Sequence, residues 1–368
     1  MDALAPVDVS ARVGRLRAAF ADNGVEALLV TRLPNVRYLT GFTGSAGMLL
    51  VGPDGEWLVT DGRYGAQAAQ QLRAAGATAR VEVGATQAEQ LTTLGREVAG
   101  HERLGLEAHG VTWAEQRELA DRFAPVELVA TTGLVETLRR VKDDAEVERI
   151  ARACAIADEA FAAAVRGGGL ADGPTEREVA LRLEIEMRGR GASGTSFETI
   201  VASGPNGALP HHRPTDRRVE RGELVVIDFG CVVDGYCSDM TRTVCVGSPD
   251  AAAQQLFDVV LDAQRLGREA VGPGVDCVTV DAACRARIDA AGWGEAFSHG
   301  TGHGVGLEIH EAPRVASTSR DTLAPGYVVT VEPGVYLPGV GGVRIEDTVV
   351  VTADGHRALT ASPKDLVL

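Results

Sequence analysis

The stretch that decides the fold is VEPGVYLPGVGGVRIEDT, residues 331–348, which places two glutamates inside apolar segments typical of buried β-strands. Burying an ionised carboxylate costs free energy unless a partner replaces the lost water. A hairpin that turns at Gly339 would bring Glu332 opposite Glu346 on one face of the sheet. Two like charges at that distance need a proton or a cation between them.

A second acidic pair lies in ELVVIDFGCVVDGYCSDMTRTVCVG, residues 223–247, which predicts a hairpin around the turn residues Asp234 and Gly235. If the turn is centred on the bond before Asp234, Asp228 lies directly opposite Asp239. A turn centred on the Asp-Gly dipeptide moves the two carboxylates one diagonal step apart on the same face. Because two hairpins share this costly arrangement, we interpret them as one metal site rather than as solvated polar faces.

Four carboxylates favour an oxygen-preferring divalent ion, and one imidazole would extend the choice to Mn²⁺, Co²⁺ or Zn²⁺. Candidate imidazoles are His299, His303 and His310, in FSHGTGHGVGLEIHEAP at residues 297–313. The glycines between residues 300 and 306 argue against a helix, so we predict a loop beside the site. The adjacent pair of histidines in SGPNGALPHHRP, residues 203–214, is weaker evidence by itself.

Composition limits the function classes. The chain has 368 residues, of which 45% are hydrophobic and 24% charged, as expected for a soluble globular protein of two domains. Its 36 basic and 51 acidic residues give a net charge of −15, which argues against a nucleic-acid or membrane surface.

Six cysteines without a C-x-x-C pair predict free, buried thiols. The N-terminal residues lack a signal-peptide pattern, and no apolar run approaches the roughly 18 residues of a membrane span, so we expect a cytoplasmic location.

The first part of the chain alternates between helical and strand patterns. An amphipathic helix over Ala11–Asp22 leads through Asn23-Gly24 into the strand pattern of residues 25–31, and the alternation continues to about residue 130. Two further strands are joined by a turn at residues 53–56. We predict an α/β domain over residues 1–138.

The second part, residues 139–368, begins with an alanine-rich helix over Ala145–Val165 whose first residues are acidic. A helix over Thr175–Gly189 follows. The remaining pattern indicates mainly strands, with one more helical stretch around residues 250–270. We predict an α+β domain with a mixed or antiparallel sheet.

Five segments occur in a characteristic order: DFG (228–230), SDMTRT (238–243), HGTGHGVGLEIHE (299–311), VEPGVY (331–336) and VRIEDT (343–348). This set resembles the proline-specific metallopeptidases of the pita-bread fold, the creatinase, aminopeptidase P and prolidase family, over residues 145–368. The segments YLTGFTGSAG and TDGRY resemble the creatinase-like N-terminal domain of that family. The resemblance therefore implies an α/β creatinase-like N-terminal domain followed by an α+β pita-bread catalytic domain.

The resemblance also implies two divalent cations, with Mn²⁺ expected first and Co²⁺ or Zn²⁺ as alternatives. Asp228 would bind one cation, Asp239 and Glu346 both, and His303 with Glu332 the other. All five positions carry the residue types that the family requires. Bound dications lower the pKa of a water and polarise the scissile carbonyl.

Other roles follow from the same resemblance. The expected catalytic residues are His310, which would stabilise the oxyanion, His211, near the substrate, and Glu332, which would pass a proton to the leaving proline nitrogen. His299 would line the proline pocket. Arg344 would orient Asp239 or the substrate, or else form a structural ion pair. Tyr336 and His212 are weaker candidates.

The implied function is removal of the N-terminal residue from small peptides with proline in the second position, as in the short bacterial Xaa-Pro aminopeptidases. The N-terminal half favours this aminopeptidase P activity over the alternative, a prolidase that cleaves Xaa-Pro dipeptides. Methionine aminopeptidase and a non-catalytic pita-bread binding protein are the further alternatives. The family resemblance also leads us to expect a homodimer.

Overall fold

The computed structural model describes residue 4 and residues 6–368. Within them the chain divides into two compact units, of which the first ends at Arg139 and the second begins at Arg140. No helix among these residues is both long enough and apolar enough to cross a membrane.

The first unit is an α/β domain built on one six-stranded mixed sheet, in the spatial order β4-β3-β2-β1-β5-β6. The central pairs β1–β2 and β2–β3 are antiparallel, and the other pairs are parallel. The strands are β1 Ala27–Val30, β2 Met48–Val51, β3 Glu56–Thr60, β4 Arg80–Val83, β5 Arg103–Glu107 and β6 Glu127–Thr131. The helices are α1 Arg12–Arg17, α2 Leu33–Thr40, α3 Gly65–Ala74, α4 Gln87–Val98, α5 Trp113–Phe123 and α6 Leu134–Arg139.

The α/β class of the first unit is thus confirmed, but its first helix is shorter than predicted. Helix α1 ends at Arg17, and a separate 3₁₀ turn follows at Ala21–Asn23. Gly24 adopts the left-handed conformation, with φ of 62°, and its amide caps that turn. The predicted stop at Asn23-Gly24 therefore lies where the chain leaves the helical segment.

The second unit is an α+β domain whose paired strands are all antiparallel, as the sequence predicts. Its sheets have the orders β11-β10-β7, β12-β9-β8, β14-β13-β15-β18-β19 and β16-β17. The helices are α7 Asp144–Phe161, α8 Glu176–Gly189, α9 Ala251–Glu269 and α10 Cys277–Asp289. The strands are β7 Gly194–Thr195, β8 Ile200–Ser203, β9 Leu224–Phe229, β10 Cys231–Val233, β11 Tyr236–Cys237, β12 Met240–Cys245, β13 Gly302–Gly304, β14 Glu311–Val315, β15 Val328–Val331, β16 Gly334–Leu337, β17 Gly341–Arg344, β18 Asp347–Val351 and β19 His356–Ala358.

Helix starts in this unit follow local sequence signals. Asp143 and Glu146 form a reciprocal capping box at the start of α7, and Thr175 with Glu178 does the same for α8. Helix α7 ends at Phe161 and continues as a π-helical turn over Ala162–Arg166, so the predicted helix to Val165 contains a change of winding.

Helix α10 is not predicted from the sequence. Its first turn, CVTV, is rich in β-branched residues, which favour strands. The helix packs closely on α9, where a Cβ added at Gly267 would lie 2.2 Å from Cys284 Sγ. Tertiary packing therefore overrides local propensity here. The buried core that joins α9 and α10 to the sheet includes Val329, Val331 and Val349.

Candidate metal centre

The acidic pair Asp228 and Asp239 lies on the β9–β12 hairpin. Asp234 and Gly235 both have positive φ, 44° and 75°, as a two-residue type I′ turn requires. The strand register pairs Asp228 with Thr241, so Asp239 lies one diagonal step from Asp228 on the same face. Of the two predicted registers, the one centred on the Asp-Gly dipeptide is therefore confirmed, and the directly opposed pair is wrong.

The acidic pair Glu332 and Glu346 lies where the β15–β18 ladder passes into the β16–β17 hairpin. Val331 pairs with Asp347 and Gly334 with Arg344, which is one continuous register on both sides of the interruption. This register places Glu332 opposite Glu346, as the predicted turn at Gly339 requires.

The two hairpins meet through backbone and side-chain bonds. The amide of Glu346 donates to Thr241 O at 3.1 Å, and Thr241 Oγ1 donates to Glu346 Oε2 at 2.8 Å. Carboxylate oxygens of Asp228, Asp239 and Glu346 lie within 4.8 Å of one another. The tertiary fold thus gathers carboxylates from both hairpins into one cluster.

His303, on β13, lies beside this cluster of three carboxylates, together with Glu332. Its Nε2 lies 3.5 Å from Asp239 Oδ2 and 3.3 Å from Glu332 Oε1. Its Nδ1 donates to Gly304 O at 3.0 Å, because a carbonyl oxygen can only accept. Burial lowers the pKa of the imidazole, so the ring is neutral and presents an unprotonated Nε2 to the carboxylates. This is the tautomer of a histidine ligand held by a backbone carbonyl.

The electrostatics of the cluster favour a proton or a cation between the carboxylates. Burial and neighbouring carboxylates raise the pKa values of Asp239 and Glu346 well above the usual range, and burial raises that of Glu332 to about 8. Asp228 Oδ1 and Glu346 Oε1 are buried without a hydrogen-bond partner among the described residues. Orphaned carboxylate oxygens beside an imidazole lone pair fit hard or borderline divalent cations.

Arg344 is 3% exposed and pairs with Asp228, its Nη2 lying 2.6 Å from Asp228 Oδ2. Its Nε donates to Thr241 Oγ1 at 3.1 Å. The expectation that it orients Asp239 is therefore wrong: the diagonal register brings Asp228, and not Asp239, under the guanidinium. A contact of Arg344 with substrate stays a prediction.

A chain of hydrogen bonds fixes His299. Its Nδ1 donates to Gly300 O at 2.8 Å, and its Nε2 lies 2.8 Å from Tyr336 Oη. The same Tyr336 Oη accepts a hydrogen bond from Arg344 Nη1 at 2.8 Å. Burial lowers the pKa of His299 to about 4, so the ring is neutral and Tyr336 must donate to Nε2. With both nitrogens engaged, His299 can contact a ligand only through its carbon edge or face.

We expect Tyr336→Phe to lower the free energy of unfolding by about 1–3 kcal/mol, because a buried donor on Arg344 and a buried acceptor on His299 lose their partner. Urea denaturation measures this directly. Tyr327→Phe, at a half-buried tyrosine of the same unit, is the matched control. Equal stability of wild type and Tyr336→Phe would contradict the proposed hydrogen-bond chain.

The other predicted histidines differ in what they contact. The exposed His310 meets His303 edge to face, with ring centroids 4.4 Å apart. Burial is the main cause of the lowered pKa values of His299 and His310, and the exposed His211 contributes to both. His212 points elsewhere, with Nε2 2.9 Å from Glu176.

Three features near the centre have no clear signal in the sequence. Arg314, an exposed residue on β14, is the direct cross-strand partner of His303, and its charge contributes to the lowered pKa values of His303 and His310. Lys142 and Glu311 form a buried ion pair with Nζ 3.1 Å from Oε2, next to His310 in the chain. Thr330 Oγ1 donates to Glu332 Oε1 at 3.1 Å. Strand pairing brings Arg314 to the site and tertiary packing brings Lys142, whereas Thr330 is two residues from Glu332 in the chain.

Comparison with known proteins gives two family matches that cover most of the chain. Residues 148–353 match the model described as metallopeptidase family M24, and residues 12–141 match the creatinase/prolidase N-terminal domain. The Xaa-Pro dipeptidase of Pyrococcus horikoshii is 36% identical, over 94% of this chain and 95% of that protein.

Two solved structures are similar along nearly the whole chain. The Xaa-Pro dipeptidase from Bacillus anthracis is 39% identical, with a TM-score of 0.91 over 98% of this chain and 100% of its own. The X-Pro aminopeptidase from Thermotoga maritima is 35% identical, with a TM-score of 0.87 over 97% of this chain and 100% of its own. Both similarities extend through the first and the second unit.

Proposed function

This chain belongs to metallopeptidase family M24 and carries a creatinase/prolidase N-terminal domain, and from that premise we propose that it hydrolyses the amide bond of Xaa-Pro dipeptides. The observation that carries the proposal is the similarity, over nearly the full length, to Xaa-Pro dipeptidases of 36% and 39% identity. The expectation of aminopeptidase P rested on the N-terminal half. That half is equally present in the matched dipeptidases, so it does not favour the aminopeptidase.

We propose that the centre holds two divalent cations, Mn²⁺ first among the candidates. Two dications would balance the four carboxylates that converge on it. Asp228 would bind one cation, His303 and Glu332 the other, and Asp239 and Glu346 both. When bound, such cations lower the pKa of a coordinated water and polarise the scissile carbonyl.

The chain's own residues would serve the reaction from fixed positions. His310, which packs edge to face with His303, would donate a hydrogen bond to the oxygen on which negative charge develops. Glu332 would pass a proton to the proline nitrogen, which must be protonated to leave. His211 would hold the substrate beside His310, and His299 would present its carbon surface to the proline ring.

Arg314 gives a physical reason to expect a dipeptide as the substrate. In a dipeptide the proline carries the free carboxylate. The same proline supplies the nitrogen of the scissile bond, so the carboxylate lies close to that bond. Arg314 is exposed and shares a sheet face with His303, since directly paired residues of antiparallel strands point the same way. A guanidinium there can bind that carboxylate through two parallel hydrogen bonds.

We expect Arg314→Ala to raise the KM for Ala-Pro by about 10-fold to 100-fold, the loss expected for a hydrogen bond between charged groups. The hydrolysis of Ala-Pro amide, which lacks the carboxylate, should change little. Arg357→Ala, at an exposed arginine on β19, is the matched control. An equal change for the acid and the amide would exclude carboxylate binding by Arg314.

The second candidate is aminopeptidase P, favoured by the similarity to the Thermotoga X-Pro aminopeptidase. The deciding experiment compares Ala-Pro with Ala-Pro-Ala after chelation and after addition of Mn²⁺, by the release of alanine. Metal-dependent cleavage of the dipeptide alone would support the prolidase. Cleavage of the tripeptide would favour aminopeptidase P, and cleavage of neither would favour a non-catalytic relative. The homodimer and the cytoplasmic location stay predictions.

A further inference from the structure

A fully buried carboxylate organises the segment that carries His211. Glu176 is the first residue of α8 and is 0% exposed. Its Oε1 accepts from Ser203 N and Oγ, both at 2.8 Å, and from Asn206 Nδ2 at 3.0 Å. Its Oε2 accepts from His212 Nε2 at 2.9 Å and from Thr215 N and Oγ1 at 2.9 and 2.7 Å. Every one of these donors belongs to residues 203–215, which we name the His211 segment.

This arrangement holds the segment at both ends. Ser203 is the last residue of β8, and Thr215 lies where the chain returns to the start of α8. The backbone at Thr215 is tied to that helix a second time, since Arg177 N donates to Thr215 O at 3.2 Å. One carboxylate thus fixes the spacing between the two ends of a loop.

The charge of Glu176 makes these bonds strong. Burial alone would raise the pKa of the carboxyl, but the hydrogen bonds from the segment outweigh burial and lower the pKa to about 2. The group is therefore an ionised acceptor at neutral pH, and charge-assisted bonds are about twice as strong as neutral ones. Its position at the start of α8 adds the favourable helix dipole.

The opposite side of the segment rests on the strand that leads to the metal centre. Pro210 O accepts from Arg344 Nη1 at 3.2 Å. A Cβ added at Gly207 would lie 2.9 Å from Gly342 N, so the loop backbone touches β17 there. His211 therefore lies between two anchored neighbours: the carbonyl before it is bound by Arg344, and the imidazole after it is bound by Glu176.

We propose that Glu176 is a positioning residue, which holds the His211 segment against Arg344 and so places His211 toward the metal centre. The inference rests on the proposed function of that centre. The hydrogen bonds of the Glu176 carboxylate among the described residues all go to the His211 segment, so Glu176 would act only through His211. Of the adjacent histidines, His211 would serve the reaction and His212 would serve as the anchor.

The test uses Glu176→Gln in the full-length, metal-loaded protein. The amide nitrogen cannot accept, so up to three donors of the segment lose their acceptor. We expect faster hydrogen–deuterium exchange over residues 204–214, with normal protection of β12 and β18 and normal metal content. The kcat/KM for Ala-Pro should fall by about 10-fold, which is within the 10²-fold that a 1 Å misplacement can cost. Glu184→Gln, about two turns along the same helix, should change none of these.

A double variant separates positioning from general destabilisation. If Glu176 acts through His211, Glu176→Gln with His211→Ala should have the same kcat/KM as His211→Ala alone, whereas independent effects would multiply. Three outcomes would each overturn the inference. They are multiplied effects in the double variant, unchanged hydrogen–deuterium exchange in the segment, and wild-type kinetics despite faster exchange.

Two further readouts keep the result interpretable. Should Glu176→Gln not fold, Thr215→Val removes one donor and leaves the charge, and it should raise exchange in the same segment. Should the wild type fail to hydrolyse Xaa-Pro peptides, the proposed function fails, while the exchange measurement still decides whether Glu176 fixes the segment.

Discussion

Asp239→Asn is expected to abolish tight metal binding and, with it, peptide hydrolysis. Asp239 lies in the middle of the cluster: its Oδ2 is 3.5 Å from His303 Nε2, and its carboxylate is grouped with those of Asp228 and Glu346. An amide offers one neutral oxygen and turns a donor toward the other ligands. Loss of metal affinity should therefore exceed the roughly 10-fold to 100-fold that removal of a residue supporting a ligand costs.

The same substitution should stabilise the metal-free chain. Burial and the neighbouring carboxylates disfavour the charge of Asp239 when no cation is present. Removing that charge should raise the unfolding temperature of the chelated protein and reduce the further increase that Mn²⁺ produces. Thermal scans with chelator and with Mn²⁺, together with metal analysis, measure both effects.

Asp172→Asn, at an exposed aspartate, is the control for Asp239→Asn and should leave metal content and rate unchanged. A variant Asp239→Asn with full metal content and the wild-type rate would contradict the assignment of the centre. A variant that unfolds at a lower temperature than wild type, both in chelator, would contradict the electrostatic account.

His310→Ala is expected to lower kcat by about 10², the usual cost of removing a donor to an oxyanion. Metal content should remain normal, because His310 packs against the His303 ring and is not one of the expected metal ligands. KM should change less than kcat, since the donor would act on charge that develops only in the transition state. Steady-state kinetics on Ala-Pro at saturating Mn²⁺ measure the two constants.

His109→Ala, at an exposed histidine of the first unit, is the matched control for His310→Ala. An unchanged kcat in His310→Ala would remove this residue from the mechanism. A lower metal content with a parallel loss of rate would instead assign His310 a role in holding the metal ligands.

Much of the geometry of the metal centre can be predicted from local sequence patterns. Alternation and turn residues place Glu332 opposite Glu346, and the Asp-Gly turn places Asp228 and Asp239 on one face, because register in a hairpin is set by its turn. The capping residues Asp143 and Thr175 likewise mark the starts of two helices. These signals depend on contacts between residues close in the chain, which pattern reasoning can follow.

Other features lie beyond such patterns. Helix α10 forms although its first turn favours a strand, because packing on α9 at Gly267 outweighs propensity. The partner of Arg344 is Asp228, 116 residues away in sequence, and the exact hairpin register decides this choice over Asp239. Strand pairing alone brings Arg314 beside His303.

The sequence by itself determined the classes of both domains and the pairing of acidic residues on two hairpins, since these depend on residue chemistry and on period-two alternation. Only the tertiary structure decided that Arg344 pairs with Asp228, that His212 binds Glu176, and that Glu176 accepts hydrogen bonds from both ends of the His211 segment. The physical reason is that each of these contacts joins residues far apart in the chain, so its geometry is set by how whole sheets and helices pack.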